Sequence, residues 1–153
     1  MSATPFHIYI DADACPVKDE VYKVAFRYKI PVSVVSNSFM RIPDDPMIER
    51  VIVSAGPDVA DDYIAERADK GSVVVTADIL LAERCVKADA TVIGPTGKLF
   101  TENSIGSAVA TRNLMEGLRS SGEITGGPAP FAKADRSRFL SALDQALVHM
   151  KRR

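Results

Sequence analysis

Apolar positions along this chain fall into short β-rich runs separated by stretches of helical period, and most of the runs end in a polar turn. His7 to Ile10 is the first run, closed by the loop Asp11-Ala12-Asp13-Ala14-Cys15. Pro16 then stands where proline suits the first turn of a helix, and Val17, Val21, Val24, Ala25 and Tyr28 recur at helical spacing. Ile30 to Ser36 predicts a second strand, and the stretch from Asn37 to Pro46, with its two prolines, a loop. A short third strand is expected at Val51 to Val53, a helix from Asp58 to about Asp69, and a buried strand at Ser72 to Thr76. Ile79 to Val86 reads as a short helix and Ala90 to Ile93 as the last strand. Two more helices are expected, about Asn103 to Arg119 and about Asp135 to Arg152. Ser120 to Ala134, with its Gly126-Gly127-Pro128-Ala129-Pro130 turn, joins them.

Strands that alternate with helices favour a parallel sheet, because each parallel pair needs a crossover. The expected fold is a three-layer α/β/α sandwich with a mainly parallel central sheet. A chain of 153 residues can bury one core without staples, so a single domain over residues 1–153 with two C-terminal helices is expected. The last helix carries Phe139, Leu140, Leu143 and Leu147, an apolar stripe that can pack on its own domain or on a partner, which leaves the oligomeric state open.

Composition changes this picture only by exclusion. Apolar residues make up 46% and charged residues 25%, an ordinary globular balance. No apolar run nears the ~20 residues that span a bilayer, and the N-terminus lacks a signal-peptide pattern. A cytoplasmic protein with no membrane partner is expected. Two cysteines without CxxC spacing read as free thiols, and with only two histidines a zinc site has too few ligands. Any metal would be held by oxygen. Residues 1–97 carry 10 Lys/Arg against 15 Asp/Glu, and residues 98–153 carry 9 against 5. Such an asymmetry suits a polyanion gripped on one surface, although solvated helices that happen to differ in charge explain it more simply.

The acids supply the candidate chemistry. In open α/β sheets ligands bind at the carboxyl ends of the strands. Asp11 and Asp13 follow the first strand and Asp78 follows the Val73-Val74-Val75 strand, so all three can share one edge. Carboxylates crowded there repel unless a cation or proton compensates them. The ordinary alternative is that Asp11 or Asp13 caps the helix after Pro16, which explains one acid and leaves the other. At about 100° per residue, Asp58, Asp62, Glu66 and Asp69 form a solvated face of their helix. Asp61 instead borders the apolar face beside Ile64, Ala65 and Ala68, where a carboxylate needs a partner. A metal shared with Asp11 and Asp78 would serve, as would an ion pair with Arg84 or Lys87.

Five segments in order carry a resemblance: Asp11-Ala-Asp-Ala-Cys-Pro-Val-Lys18, Gly56-Pro-Asp-Val-Ala-Asp-Asp-Tyr-Ile-Ala65, Val75-Thr-Ala-Asp-Ile-Leu-Leu-Ala82, Gly94-Pro-Thr-Gly-Lys-Leu-Phe-Thr-Glu-Asn103 and Gly126-Gly-Pro-Ala-Pro-Phe131. The chain resembles the YaiI/YqxD family of small bacterial proteins, and beyond it the PIN-like nuclease fold. That second resemblance implies an aspartate ending strand one, an acid in an Asp-x-x-Ile-Ala helix and a Thr-x-Asp after a central strand. Asp11, Asp61 and Asp78 fall on these positions. PIN nucleases commonly add an acid shortly after the Thr-x-Asp, whereas here Ile79-Leu80-Leu81 follows. Asp13 would then replace it, or the site would hold one ion and not two.

The resemblance implies a divalent-metal-dependent nuclease, with Mg²⁺ or Mn²⁺ as cofactor and nucleic acid, RNA in the first place, as partner. Asp11, Asp61 and Asp78 would be catalytic, and together with Asp13 would hold the metal. Lys18, Ser36, Asn37 and Thr76 are candidates to bind phosphate or water, although each is also an ordinary turn, cap or surface residue. Two other readings remain. One is a haloacid-dehalogenase-like phosphatase with Asp11 as nucleophile and Asp13 as acid/base. The other is a noncatalytic nucleic-acid-binding or regulatory module.

Overall fold

Period-two alternation in the first strand sorts the whole core. Ile8 and Ile10 join one apolar cluster while Tyr9 packs against the other, on the opposite side of the sheet. The computed structural model describes residues 6–12, 15–56, 58–106 and 131–151. Asp13, most of the helix expected from Asn103 to Arg119 and most of the Ser120 to Ala134 connection lie outside these residues.

The elements run β1 (His7–Asp11), α1 (Lys18–Tyr28), β2 (Val32–Ser36), β3 (Ile48–Ile52), α2 (Val59–Arg67), β4 (Ser72–Val75), α3 (Ile79–Lys87), β5 (Thr91–Ile93), β6 (Leu99–Phe100) and α4 (Lys133–Lys151). They form one six-stranded sheet in the order β3-β2-β1-β4-β5-β6. β1 to β5 pair in parallel, and β6 returns antiparallel to β5. Helices cover both faces, so the fold is the expected α/β/α sandwich.

On one face Ile8, Ile10, Val32, Val34, Val73, Val75 and Ile93 meet Val21, Val24 and Ala25 of α1 and Phe139, Leu143, Leu147 and Met150 of α4. On the other, Val35, Val74 and Val92 meet Ile64 of α2 and Leu81, Ala82 and Cys85 of α3. Burial of this many fully covered aliphatic side chains, at about 1.5–3 kcal/mol each, drives the assembly. The apolar stripe of α4 therefore lies on its own domain. Arg27 and the Tyr28 hydroxyl both donate to Asp144 Oδ1, at 3.0 and 2.7 Å, and fix α1 against α4.

Several boundaries differ from the pattern reading. Pro16 and Val17 form a turn ahead of α1, and the first helical bond runs from the Val21 N–H to the Val17 carbonyl at 3.1 Å. β3 starts at Ile48, before the expected Val51, because an edge strand needs only one buried anchor and Glu49 and Arg50 face water. The strand ending at Ile93 is not the last. The chain turns through Gly94 and Gly97, with the Gly94 N–H donating to the Lys98 carbonyl at 2.8 Å, and adds β6. Two residues are too short a run to show alternation. Gly97 has φ +90° and lies so close to α4 that a Cβ would meet the Arg138 backbone at 2.7 Å. No helix among the described residues is long and apolar enough to cross a membrane.

Candidate acidic site at the carboxyl edge of the sheet

Register places the first two site residues. Ile10 pairs with Val75, so Asp11 and Thr76 are the next neighbours, where β1 and β4 both end. The Thr76 hydroxyl donates to Asp11 Oδ2 at 2.8 Å and accepts the Asp78 backbone N–H at 3.0 Å. Thr76 is 1% exposed, so both bonds are sheltered from water. Asp78 is the N-cap of α3: its Oδ1 accepts from the Leu80 N–H at 2.9 Å and more weakly from the Leu81 N–H at 3.4 Å. Its Oδ2 accepts no hydrogen bond among the described residues.

Asp61 comes from the first turn of α2, which packs on both β1 and α3. It is partly buried and takes no hydrogen bond or ion pair among the described residues. The nearby Arg84 spends its guanidinium on the neighbouring Asp62, at 2.8 Å. Desolvation, followed by repulsion from Asp78 and Asp11, pushes the Asp61 pKa up to about 6. Asp11, Asp61 and Asp78 thus share one electrostatic neighbourhood. Beneath them Cys85 is fully buried, and desolvation, with Asp61 and Asp11 adding to it, pushes its thiol up to about 12. The thiol is a packing group at neutral pH. No three His, Cys, Asp or Glu side chains among the described residues form a group that could hold a metal ion by themselves.

The other candidates scatter. Lys18 folds back and donates to the Cys15 carbonyl at 2.8 Å. Ser36 is fully buried and its hydroxyl donates to the Ser38 carbonyl, while Asn37 is exposed beside it at the end of β2. Arg136 donates to the Pro16 carbonyl at 2.6 Å and to Glu20 at 3.2 Å, and Arg138 pairs with Asp135. Part of the basic charge of the C-terminal stretch is therefore met within the fold.

Phe39 was not singled out by the sequence. It stands 72% exposed in the loop after β2, with Arg50 stacked on its ring. An aromatic residue inside a loop of prolines and several polar residues was the available signal.

A mainly parallel α/β sandwich with three aspartates gathered where its central strands end is the class that fold and site define. The chain belongs to the YaiI/YqxD family. The family model described as "Uncharacterized BCR, YaiI/YqxD family" matches residues 9–149. The chain is similar to the UPF0178 protein bll3966 of Bradyrhizobium diazoefficiens, at 64% identity over all of this chain and 92% of the relative. It is equally similar to a UPF0178 protein of Azorhizobium caulinodans, at 64% over 97% of this chain and 93% of the relative. The UPF0178 protein RPA2191 of Rhodopseudomonas palustris is 63% identical over 95% of this chain and 92% of its own length. No solved structure matches the chain.

Proposed function

We propose that the chain is a divalent-metal-dependent nuclease that hydrolyses phosphodiesters, in RNA by preference. The observation that carries this reading is the convergence of Asp11, Asp61 and Asp78 at the carboxyl edge, with Asp61 taking no hydrogen bond or ion pair among the described residues and raised in pKa by desolvation and by the other two acids. Burying a carboxylate among like charges costs free energy, and a bound cation offsets that cost.

Mg²⁺ or Mn²⁺ suits this donor set. Such ions take oxygen ligands, and Mg²⁺ usually binds through one or two carboxylates and keeps several waters, so a closed cage of protein groups is not required. Asp11 and Asp78 would hold the ion directly, with Asp61 and Asp13 direct or through water. When bound, it would orient a water, lower its pKa and offset charge on the phosphoryl oxygens. The chain's own groups do the positioning. Thr76 fixes Asp11 by a hydrogen bond, and Asp78 is fixed by the two amides it caps. Without the ion, desolvation and the two neighbouring carboxylates hold the Asp61 pKa up at about 6, and a bound cation would favour its charged form.

The test is cleavage of an end-labelled single-stranded RNA oligonucleotide in Mn²⁺ or Mg²⁺, with calorimetry for metal binding. Asp11→Asn, Asp61→Asn and Asp78→Asn should each reduce cleavage at least about 100-fold, the scale of removing a group that acts on the transition state. The substitutions at Asp11 and Asp78 keep a side-chain oxygen that can accept the existing hydrogen bonds, and Asp61 accepts none among the described residues, so the fold should survive. Cleavage that is indifferent to Asp61→Asn, or a protein that neither binds millimolar Mn²⁺ nor cleaves, would overturn the reading. Strand binding without cleavage would make the chain a noncatalytic module.

A further inference from the structure

Phe39 is the most exposed large hydrophobic residue among those described, yet it is not a loose loop tip. The Arg50 guanidinium carbon lies 4.3 Å from its ring centroid, and Arg50 Nη1 donates to the Met40 carbonyl at 3.2 Å. On one side the buried Ser36 hydroxyl ties down the Ser38 carbonyl. On the other, Met40 and Ile42 pack against the core. The ring is thus held from both flanks and by an arginine that is itself anchored. Arg41, two residues further along the loop, is exposed, and the acids of the loop, Asp44 and Asp45, come only after Pro43. A fixed, solvent-facing aromatic with an arginine on its ring and a second arginine two residues along is an arrangement on which an unstacked base can lie while phosphates meet the charges.

Position relates this platform to the acids. Val35 pairs with Asp11 across β2 and β1, and the four residues from Val35 to Phe39 span at most about 14 Å. Arg50 pairs with Val34, whose side chain belongs to the α1 side of the sheet, whereas Asp61 and Asp78 stand on the α2 and α3 side. A strand lying on Phe39 would cross the carboxyl edge over β2 and β1 to bring a phosphodiester to Asp11.

The geometry points to Phe39 as a base-stacking site for single-stranded nucleic acid, with Arg41 and Arg50 as its phosphate contacts. It rests on the nuclease reading only for the choice of a nucleic acid as ligand. A duplex is a poor ligand, because its bases are already stacked on one another and cannot be offered to the ring.

The experiment measures anisotropy of a labelled single-stranded 12-mer RNA and of the matching duplex in EDTA, so that no cleavage intervenes. Phe39→Ala should weaken single-strand binding by about fivefold or more, the lower end of what stacking one base contributes, with no change for the duplex. Phe39→Trp should restore it. The salt dependence should keep its slope in Phe39→Ala and become shallower by about one unit in Arg41→Gln. Unchanged single-strand affinity in Phe39→Ala overturns the site, as does wild-type protein that binds duplex as well as single strand. Loss of self-association in Phe39→Ala, read by sedimentation, with strand affinity intact would assign the ring to a second copy of the chain instead.

Cleavage of a dinucleotide, which can offer its single phosphodiester to the acids without a base stacked on Phe39, keeps the two proposals apart. If it depends on Asp61 while Phe39→Ala binds normally, only the stacking site fails. If no cleavage occurs while binding still depends on Phe39, only the nuclease reading fails.

Discussion

Thr76 and Asp11 are joined side chain to side chain at 2.8 Å across the β1–β4 pair, with the Thr76 oxygen also receiving the Asp78 amide. A single buried hydroxyl therefore relates the acid at the end of one strand to the acid that starts α3. Because the partners on both sides are fixed by backbone, the spacing of the two carboxylates follows from sheet register rather than from side-chain freedom.

Replacing that hydroxyl by a methyl group tests the arrangement. Thr76→Val keeps the shape but removes the hydrogen bonds that the hydroxyl donates to Asp11 Oδ2 and accepts from the Asp78 N–H, so it should cost about 1–3 kcal/mol in urea unfolding. Thr76→Ser should cost less. If both variants unfold like the parent, the hydrogen bonds contribute nothing net.

Asp61 sets a pH dependence with a definite sign. Its folded pKa, about 6, lies above the ordinary carboxylate value of 3.8, so the folded state binds more protons between these values. Stability from this group is full below about pH 4 and is lost as pH rises through about 6. Solvent screening of this partly exposed group limits the effect to about 1 kcal/mol. Asp61→Asn should flatten the profile over that window, and stability curves at pH 4 to 7 would check it. Millimolar Mn²⁺ should raise the melting temperature of the parent at pH 7 and do so less in Asp61→Asn.

Gly97→Ala should destabilise by about 1–3 kcal/mol, from the positive φ and from the clash with the backbone of α4 at Arg138. Calorimetric melting measures it. A neutral result would mean that the β5–β6 turn can move away from α4 at little cost.

Phe139→Ala empties the largest of the fully buried side-chain positions, between α4 and the sheet, and should cost about 3–5 kcal/mol. If α4 were only loosely docked, the loss would be much smaller.

Much of this molecule was legible because period-two and helical periods are carried by consecutive residues. Ile8, Ile10 and the Val73-Val74-Val75 run announce strands, and Asp11 and Asp78 follow them at the edge where α/β sheets hold ligands. Asp61 was separable from Asp62 by helical geometry alone. The structure agrees, pairing Asp62 with Arg84 and leaving Asp61 near Asp11 and Asp78. What could not be read depends on contacts distant in sequence. The use of Arg136 on Pro16 and Glu20 follows from how α4 meets the start of α1, 120 residues apart for Arg136 and Pro16. β6 is defined by its pairing with β5 and by no pattern of its own.

The packing of α4 against β1 has a consequence for synthesis. Phe139, Leu143, Leu147 and Met150 close the same apolar layer that contains Ile8 and Ile10, so segments far apart in sequence share one core. A nascent chain whose α4 is still inside the ribosome leaves part of this sheet face open, since α1 covers only the rest of it. Closure of this layer must then wait until α4 has emerged, and translation that stalls before that point leaves a species whose bare valines and isoleucines invite aggregation or a chaperone.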